Sequence, residues 1–460
     1  MIPKRPINRD VPPASEEETE RLPKAEPEKK AEAEAKPKLE KREREPKRER
    51  EPKPPAPKFL LGLVVLALAF IVAAVIWGGG SDEESAPENP APAPAPVEAA
   101  EPSESEAEAT ETAEALGYPS FATNNTVRIG GSDPAANAAG AALAVFPSTT
   151  PEQQPAAVTL VDEADWGGAF AASVLMAPPV RSPILFSAPD ELPEVTAEAI
   201  ETLDPQGSEA TGGASAFVIG EVAVPERPGQ GLPIDAGDPA ATAAQIATLR
   251  DRLFGEAPEH VIVAPGSAPE FAMPAAAWAA RSGDPVLFSG AKKLSQATAK
   301  ALEQHPKVPV YVLGPETAIS KEVVREIDEI VNQVERVTGK DPAGNALALA
   351  RYDDGDFGWN VNDPGHGFVL ARSDTPANAA AAAPLSASGT WGPLLLTEAA
   401  DTLPADVRSY FLDIKPGYTN DPTRAFYNHV WVIGDQEAIS VGQQAEVDQL
   451  AELAKIGGEE

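Results

Sequence analysis

VYVLGPETAIS, Val310–Ser320, decides the fold: an apolar run of strand length stops at a glycine and gives way to a polar turn. The pattern occurs twice more, as AFVIGEVAV (Ala216–Val224) and VWVIGDQEAIS (Val430–Ser440). Two other patterns precede it each time, in the same order. One is a helix start, GSDPAANAA (Gly131–Ala139), GDPAATAA (Gly237–Ala244) and GKDPAGNAL (Gly339–Leu347). The other is a proline followed by an apolar strand, PILFS (Pro183–Ser187), PVLFS (Pro285–Ser289) and PLLLT (Pro393–Thr397). Three patterns recurring in register at a spacing of roughly 100 residues mark an internal triplication.

Each copy holds one more apolar strand between the first two patterns: VTLVD (Val158–Asp162), HVIVA (His260–Ala264) and GFVLA (Gly367–Ala371). Ala-rich helical stretches separate the strands, so one copy reads β-α-β-α-β-α-β. Short continuous apolar strands alternating with helices predict an α/β fold with mainly parallel sheets covered on both faces. The predicted modules span residues 122–233, 234–334 and 335–456. The first is truncated: PERPGQGLP follows its last strand, where the second has a predicted helix over Lys321–Val334. The third carries an insertion, RYDDGDFGWNVNDPGHG (Arg351–Gly367), whose Gly and Asp content predicts a loop.

Upstream of the repeats the chain changes character. FLLGLVVLALAFIVAAVIW, Phe59–Trp77, contains no charge. At helical rise it spans about 28 Å, which matches a bilayer core and predicts one transmembrane helix over residues 59–77. The long preceding region and the Gly-Gly-Gly-Ser-Asp that follows argue against a cleaved signal peptide. Lys41, Arg42, Arg44, Lys47, Arg48, Arg50, Lys53 and Lys58 precede it, whereas Gly78 to Pro119 holds no Lys or Arg. This asymmetry places residues 1–58 in the cytoplasm and the repeats outside. The 1–58 tail, rich in Pro, Glu, Lys and Arg, is expected to be disordered. Residues 78–121, with the run Pro90–Pro96, are expected to form an extended, self-repelling spacer.

Composition narrows the function. The formal charge is -34, with the acid excess after residue 78, and this excludes nucleic acid as a partner, because phosphate binding needs clustered cations. There is no Cys, and the four His have no metal-ligand spacing, so neither metal nor cofactor is expected. Nucleophile elbows and phosphate loops are absent, and no carboxylate pair is singled out, so the chain is read as non-enzymatic.

The candidate site residues come from the repeated patterns. Asp133, Asp238 and Asp341, each followed by Pro, sit where a carboxylate caps a helix; Asn137, Thr242 and Asn345 lie one turn on. The two sets form either helix caps or a polar edge at the C-terminal ends of parallel strands, where α/β proteins bind ligands. In the inserted loop Trp359 is either a local apolar plug or, with His366, a surface for a sugar ring.

The VRIGGSD-type start (Val127–Asp133), the PILF-type strand and the VYVLGPETAIS-type end together resemble the cell wall-binding repeat type 2 modules of bacterial surface proteins. The resemblance covers about residues 122–456 and is fullest in the second copy. It implies Rossmann- or Toprim-like α/β modules packed as a triangular, pseudo-trimeric disc that attaches to a cell wall polysaccharide or anionic secondary polymer. It points to Pro183, Ile184, Leu185 and Phe186, to Pro285, Val286, Leu287 and Phe288, and to Pro393, Leu394, Leu395 and Leu396 as lying near the ligand grooves. Lys292 and Lys293, beside PVLFS, are candidate cationic contacts, with bridging Ca²⁺ as the other way to reconcile two anions. Pro-Ala follows each aspartate where the family often has Arg-Tyr, and Gly168-Ala169, Met273-Pro274 and Asn378-Ala379 stand in place of an Asp-Ala pair. That departure motivates a second reading, an extracellular scaffold for an envelope protein partner. Either way the expected location is the cell membrane, single-pass, with the repeats at the wall.

Overall fold

The structure is a computed structural model that describes residues 119–456, apart from residues 123, 226–228, 235, 236 and 390; for residues 119–122 the backbone alone is described. The expected tail (1–58), membrane helix (59–77) and the spacer up to residue 118 lie outside the described residues. Among the described residues no helix is long and apolar enough to cross a membrane.

β1 (Pro119–Ala122) leads into the first repeat, which supplies β2 (Thr126–Ile129), β3 (Val158–Val161), β4 (Ile184–Phe186) and β5 (Ala216–Ile219). The second supplies β6 (Gly231–Ile234), β7 (Val261–Pro265), β8 (Val286–Ser289) and β9 (Val310–Leu313). The third supplies β10 (Val334–Val337), β11 (Gly367–Arg372), β12 (Leu394–Thr397), the short β13 (Gly417–Tyr418), β14 (His429–Ile433) and the short β15 (Ala454–Lys455). Three larger sheets result, ordered β4-β3-β5-β6, β8-β7-β9-β10 and β12-β11-β14-β2-β1. Their strands run parallel except at the antiparallel β1–β2 edge.

The fourth place in each sheet belongs to the next repeat. β6 lies on β5 with Gly231 opposite Ala216, β10 on β9 with Val334 opposite Val310, and β2 on β14 with Thr126 opposite Val430. The last donation joins the start of the described chain to its end, so the cycle closes.

Two of the donated strands are locked by an arginine, buried in β2 and half-buried in β10. Arg128 of β2, 1% exposed, donates to the carbonyls of Gly434 (2.7 Å), Asp435 (2.6 Å) and Ile439 (2.6 Å) and to Gln444 Oε1 (3.0 Å). Arg336 of β10 donates in the same way to Gly314 (2.6 Å) and Ile319 (2.7 Å). The VIGDQEAIS and VLGPETAIS turns are thus cradles for the arginine of the neighbouring strand. Burial holds the Arg336 guanidinium below its usual range, against the opposing pull of Glu316. In β6 the corresponding residue is Pro233, and the turn after β5 has lost its match to the other two.

Helices cover the sheets. The first helices, Pro134–Val145, Pro239–Phe254 and Pro342–Arg351, each begin with a capping Asp and Pro at N1. The second helices are Trp166–Ala172, Pro269–Ser282 and the consecutive Ala377–Ala381 and Ala383–Ala387. They touch one another and are almost wholly buried, which their Ala and Gly content allows by letting backbones approach closely. The third helices are Glu194–Leu203, Gln296–Gln304 and Ala405–Asp413.

Two expectations need adjustment. The helix predicted over Lys321–Val334 ends at Asp328, and Val334 opens β10 instead. Asn332 N–H donates to Pro306 O (2.9 Å), which turns the chain, and β9 then captures Val334–Val337. The inserted loop Arg351–Gly367 is anchored beneath the second repeat. Phe357 stacks on Tyr311 at 3.6 Å, Tyr311 Oη donates to Asp354 (2.7 Å), and Trp359 meets Trp278 edge-on at 5.4 Å. Trp359 is therefore a plug with no face free for a sugar, and His366 holds Asp363 at 3.1 Å.

Candidate functional site

The capping aspartates are committed to backbone. Asp133 accepts from Ala136 N (2.8 Å), Asp238 from Ala240 N and Ala241 N (3.0 Å each), and Asp341 from Gly344 N (2.7 Å). One turn on, Asn137, Thr242 and Asn345 are buried and accept from the amides of Gly131 (2.9 Å), Gly237 (2.9 Å) and Gly339 (3.2 Å). Asn137 also donates to Asn378 Oδ1 (3.0 Å), and Asn345 to Phe271 O (3.0 Å), which ties the first helices of the first and third repeats to the second helix of the preceding repeat. These side chains hold the strand-to-helix turn closed.

The apolar strands are core. Pro183–Phe186, Pro285–Phe288 and Pro393–Leu396 are buried throughout. What solvent reaches is the loop that follows each of them, at the C-terminal edge of its sheet.

In the second repeat that edge opens into a groove of about 620 Å³. Its walls are the start of the first helix (Asp238, Pro239), the turn after β7 (Gly266, Ser267), and the segment from Phe288 through Ser289 and Lys293 to Gln296. Gly266 N–H donates to Ser289 O (2.8 Å), which holds the two turns together at the floor. Ser295 caps the third helix by accepting from Thr298 N (3.2 Å). The groove therefore brings Asp238, Phe288 and Lys293 to one place, and Lys292 is exposed beside it. Among the other wall residues, Ser267, Ser289 and Gln296 are not singled out by the sequence patterns; the Gly-Ser and Ser-Gly pairs that end β7 and β8 are the signal that marks the two serines.

The other two repeats differ at this edge. In the third, Lys340 takes the place of Gly237 and pairs with Asp406 at the head of the third helix (2.8 Å). The hydrogen bond to Asp406 and its charge raise Lys340 above its usual range. In the first repeat the edge is acidic. Burial raises the Glu163 carboxyl, and the charges of Asp133 and Asp162 raise it further. Among the described residues the second repeat joins an open groove to two exposed lysines, and its wall holds hydroxyl, amide, carboxylate and ammonium groups suited to a polyhydroxylated or anionic chain. Among the described residues no cluster of three or more His, Asp or Glu could hold a metal ion.

Comparison with known proteins converges on the same repeat. Residues 234–324 match the family model of cell wall binding domain 2 (CWB2). This is the family that the repeated patterns resemble, and the match covers the copy whose groove is flanked by lysines. The fold is similar to two solved structures. Cwp6 from Clostridium difficile shares 17% identity over 71% of this chain and 48% of its own, with a TM-score of 0.55. Cwp8 from Clostridium difficile shares 20% identity over 71% of this chain and 52% of its own, with a TM-score of 0.54. The chain spans about half the length of either protein. No curated protein matches the sequence.

Proposed function

We propose that this chain is a non-enzymatic protein that binds a cell wall polymer through its repeats and links it to the membrane through Phe59–Trp77. The three modules, 122–233, 234–334 and 335–456, form a triangular, pseudo-trimeric disc held together by their exchanged strands. The observation that carries the reading is the coincidence of the CWB2 match with a repeat whose open strand-end groove is flanked by lysine. An acidic protein meets an anionic polymer only where local charge is reversed, and Lys292 and Lys293 supply that reversal.

Co-sedimentation of the full chain with purified wall, before and after secondary polymers are stripped, tests this. Binding that disappears on stripping supports the proposal; binding to neither wall refutes it. A chelator that leaves binding intact removes bridging Ca²⁺ from the account. A second reading, a scaffold for an envelope protein, draws support from Pro134, Pro239 and Pro342 standing where the family often has Arg. Recovery of one stoichiometric protein after crosslinking, without wall binding, would favour it.

A further inference from the structure

The strand-end edges of the second and third repeats carry their charges in different ways. In the third, Lys340 pairs with Asp406 (2.8 Å) and lies 3.8 Å from Asp341 Oδ2, so one cation serves both carboxylates within the protein. In the second, Gly237 stands in the place of Lys340, and the second residue of the third helix is Ala297 in the place of Asp406. Asp238 Oδ1 alone accepts the two helix amides, Ala240 N and Ala241 N (3.0 Å each), and its Oδ2 has no partner among the described residues. Residues 235 and 236, outside the described set, are Asp and Ala, so neither is a cation that could serve it.

The facing wall of the groove is also altered. Ala291 O and Ala400 O each accept from the serine at the N-cap of the fourth helix, Lys321–Asp328 or Val441–Ala451, with Ser320 N at 2.8 Å and Ser440 N at 2.7 Å. Leu294 and Leu403, three residues on, are both buried. The loops therefore superpose residue by residue, and Lys292 and Lys293 occupy the positions of Asp401 and Thr402. Neither lysine forms an ion pair among the described residues. The second repeat thus exchanges an internal ion pair for a carboxylate on one wall and an ammonium on the other, both lining the groove and not joined to each other.

We propose, building on the wall-binding reading, that the ligand of this groove is zwitterionic: a polymer segment whose anionic group meets Lys292 and Lys293 and whose own ammonium group meets Asp238. A purely anionic chain would lay like charge against Asp238. A neutral glycan would cover both charges and supply an opposite charge to neither. A chain bearing both signs satisfies the two walls at once, with Ser267, Ser289 and Gln296 left to hydrogen-bond its hydroxyls.

The test is co-sedimentation of the full chain with purified wall, native or with its free amines N-acetylated by acetic anhydride, for the parent and for Asp238→Asn. Asn caps a helix as well as Asp, so the substitution removes the charge and keeps the helix start; circular dichroism and the urea midpoint should match the parent. Acetylation should weaken binding of the parent about tenfold. Asp238→Asn should bind native wall more weakly by a similar factor and should be indifferent to acetylation. Acetylation-sensitive binding that disappears with the secondary polymers supports an ammonium on those polymers, and sensitivity that survives stripping supports one on the peptidoglycan. An equal loss for parent and variant overturns the proposal, because a general repulsion between an acidic protein and a more anionic wall then explains it. Binding that acetylation leaves unchanged, or tighter binding by Asp238→Asn, overturns it as well, and in all three cases wall binding itself stands. Binding of the parent to no wall at all refutes wall binding and the zwitterionic ligand together.

Discussion

Replacing Arg128 with Met tests whether the exchanged strand that closes the cycle is held chiefly by its guanidinium. Met keeps much of the length and apolar stem but removes four hydrogen bonds, three of them to main-chain carbonyls. A hydrogen bond to a charged donor contributes about 1.5–3 kcal/mol, and a buried acceptor left without a partner costs about 1–3 kcal/mol. With relaxation of the 434–439 turn and some water entry, the expected net loss is about 4 kcal/mol. Arg336→Met is the internal control. It removes two such bonds from a less buried site, so the expected loss is about 2 kcal/mol. Urea denaturation of the full chain gives the two losses. Hydrogen exchange locates them, because the amides of Val430 and Gly434, bonded to Asn125 O and Ile129 O, should lose protection before those of β7 and β9 in Arg128→Met. A cost below about 1 kcal/mol, or one no larger than for Arg336→Met, would refute the reasoning and assign the closure to apolar contacts alone.

Lys292→Glu with Lys293→Glu should reduce wall co-sedimentation by at least about tenfold without changing the denaturation midpoint, since both side chains are exposed. Lys340→Ala should unbridge the edge of the third repeat and leave the denaturation midpoint unchanged, because the pair with Asp406 is exposed; a clear downward shift of the midpoint would contradict that. Trp278→Phe removes the donor to buried Asp284 (2.8 Å) and should cost about 1–3 kcal/mol, measured by the same urea titration. His260 carries a pH dependence. Burial depresses its imidazole, but the Asp284 hydrogen bond and the charges of Asp284, Glu259 and Asp356 outweigh this, and the net shift is upward. A His raised on folding stabilises the fold most below its unfolded value near 6.5, and the contribution fades as pH rises through the folded value. Stability should therefore fall as pH rises above about 6.5, and His260→Gln should flatten that slope.

The strands and first helices were legible because their signals are local. Continuous apolar runs such as VYVL and PVLF, and Asp-Pro at each helix start, report burial and capping without reference to the rest of the chain. Which sheet a strand joins is not local. VERV at 334–337 and TVRI at 126–129 read as the openings of their own repeats, yet both complete the sheet of a neighbour. Arg128 and Arg336 were the available clue, since a cation in an apolar strand needs a remote partner. The end of the fourth helix was misjudged for the same reason: β9 competes for Val334–Val337, and residue pattern alone does not register that competition. At the candidate site the sequence located the edge but not the chemistry. PVLF identifies the strand whose loop forms the groove, while Pro285, Val286 and Leu287 are sealed in the core and only Phe288 borders the groove. The asymmetry among the three edges rests on single residues, Gly237 against Lys340 and Glu163 beside Asp133, whose meaning depends on what faces them.

The antiparallel edge β1 has a mechanical consequence. Tension on the residues before Pro119 enters the fold at the end where Pro119 faces Ile129. Pulled from there, the β1–β2 pair opens like a zipper, one rung at a time, from Ile129 towards Val127. Once β1 is gone, the load reaches β2, which is flanked along its length by β14 and pinned by Arg128. Further extension must slide β2 along β14 and break its rungs together while tearing out the guanidinium. The fold thus has a weak outer fuse of a few residues in series with a strong shear lock, so small pulls free β1 while the cycle of repeats stays whole.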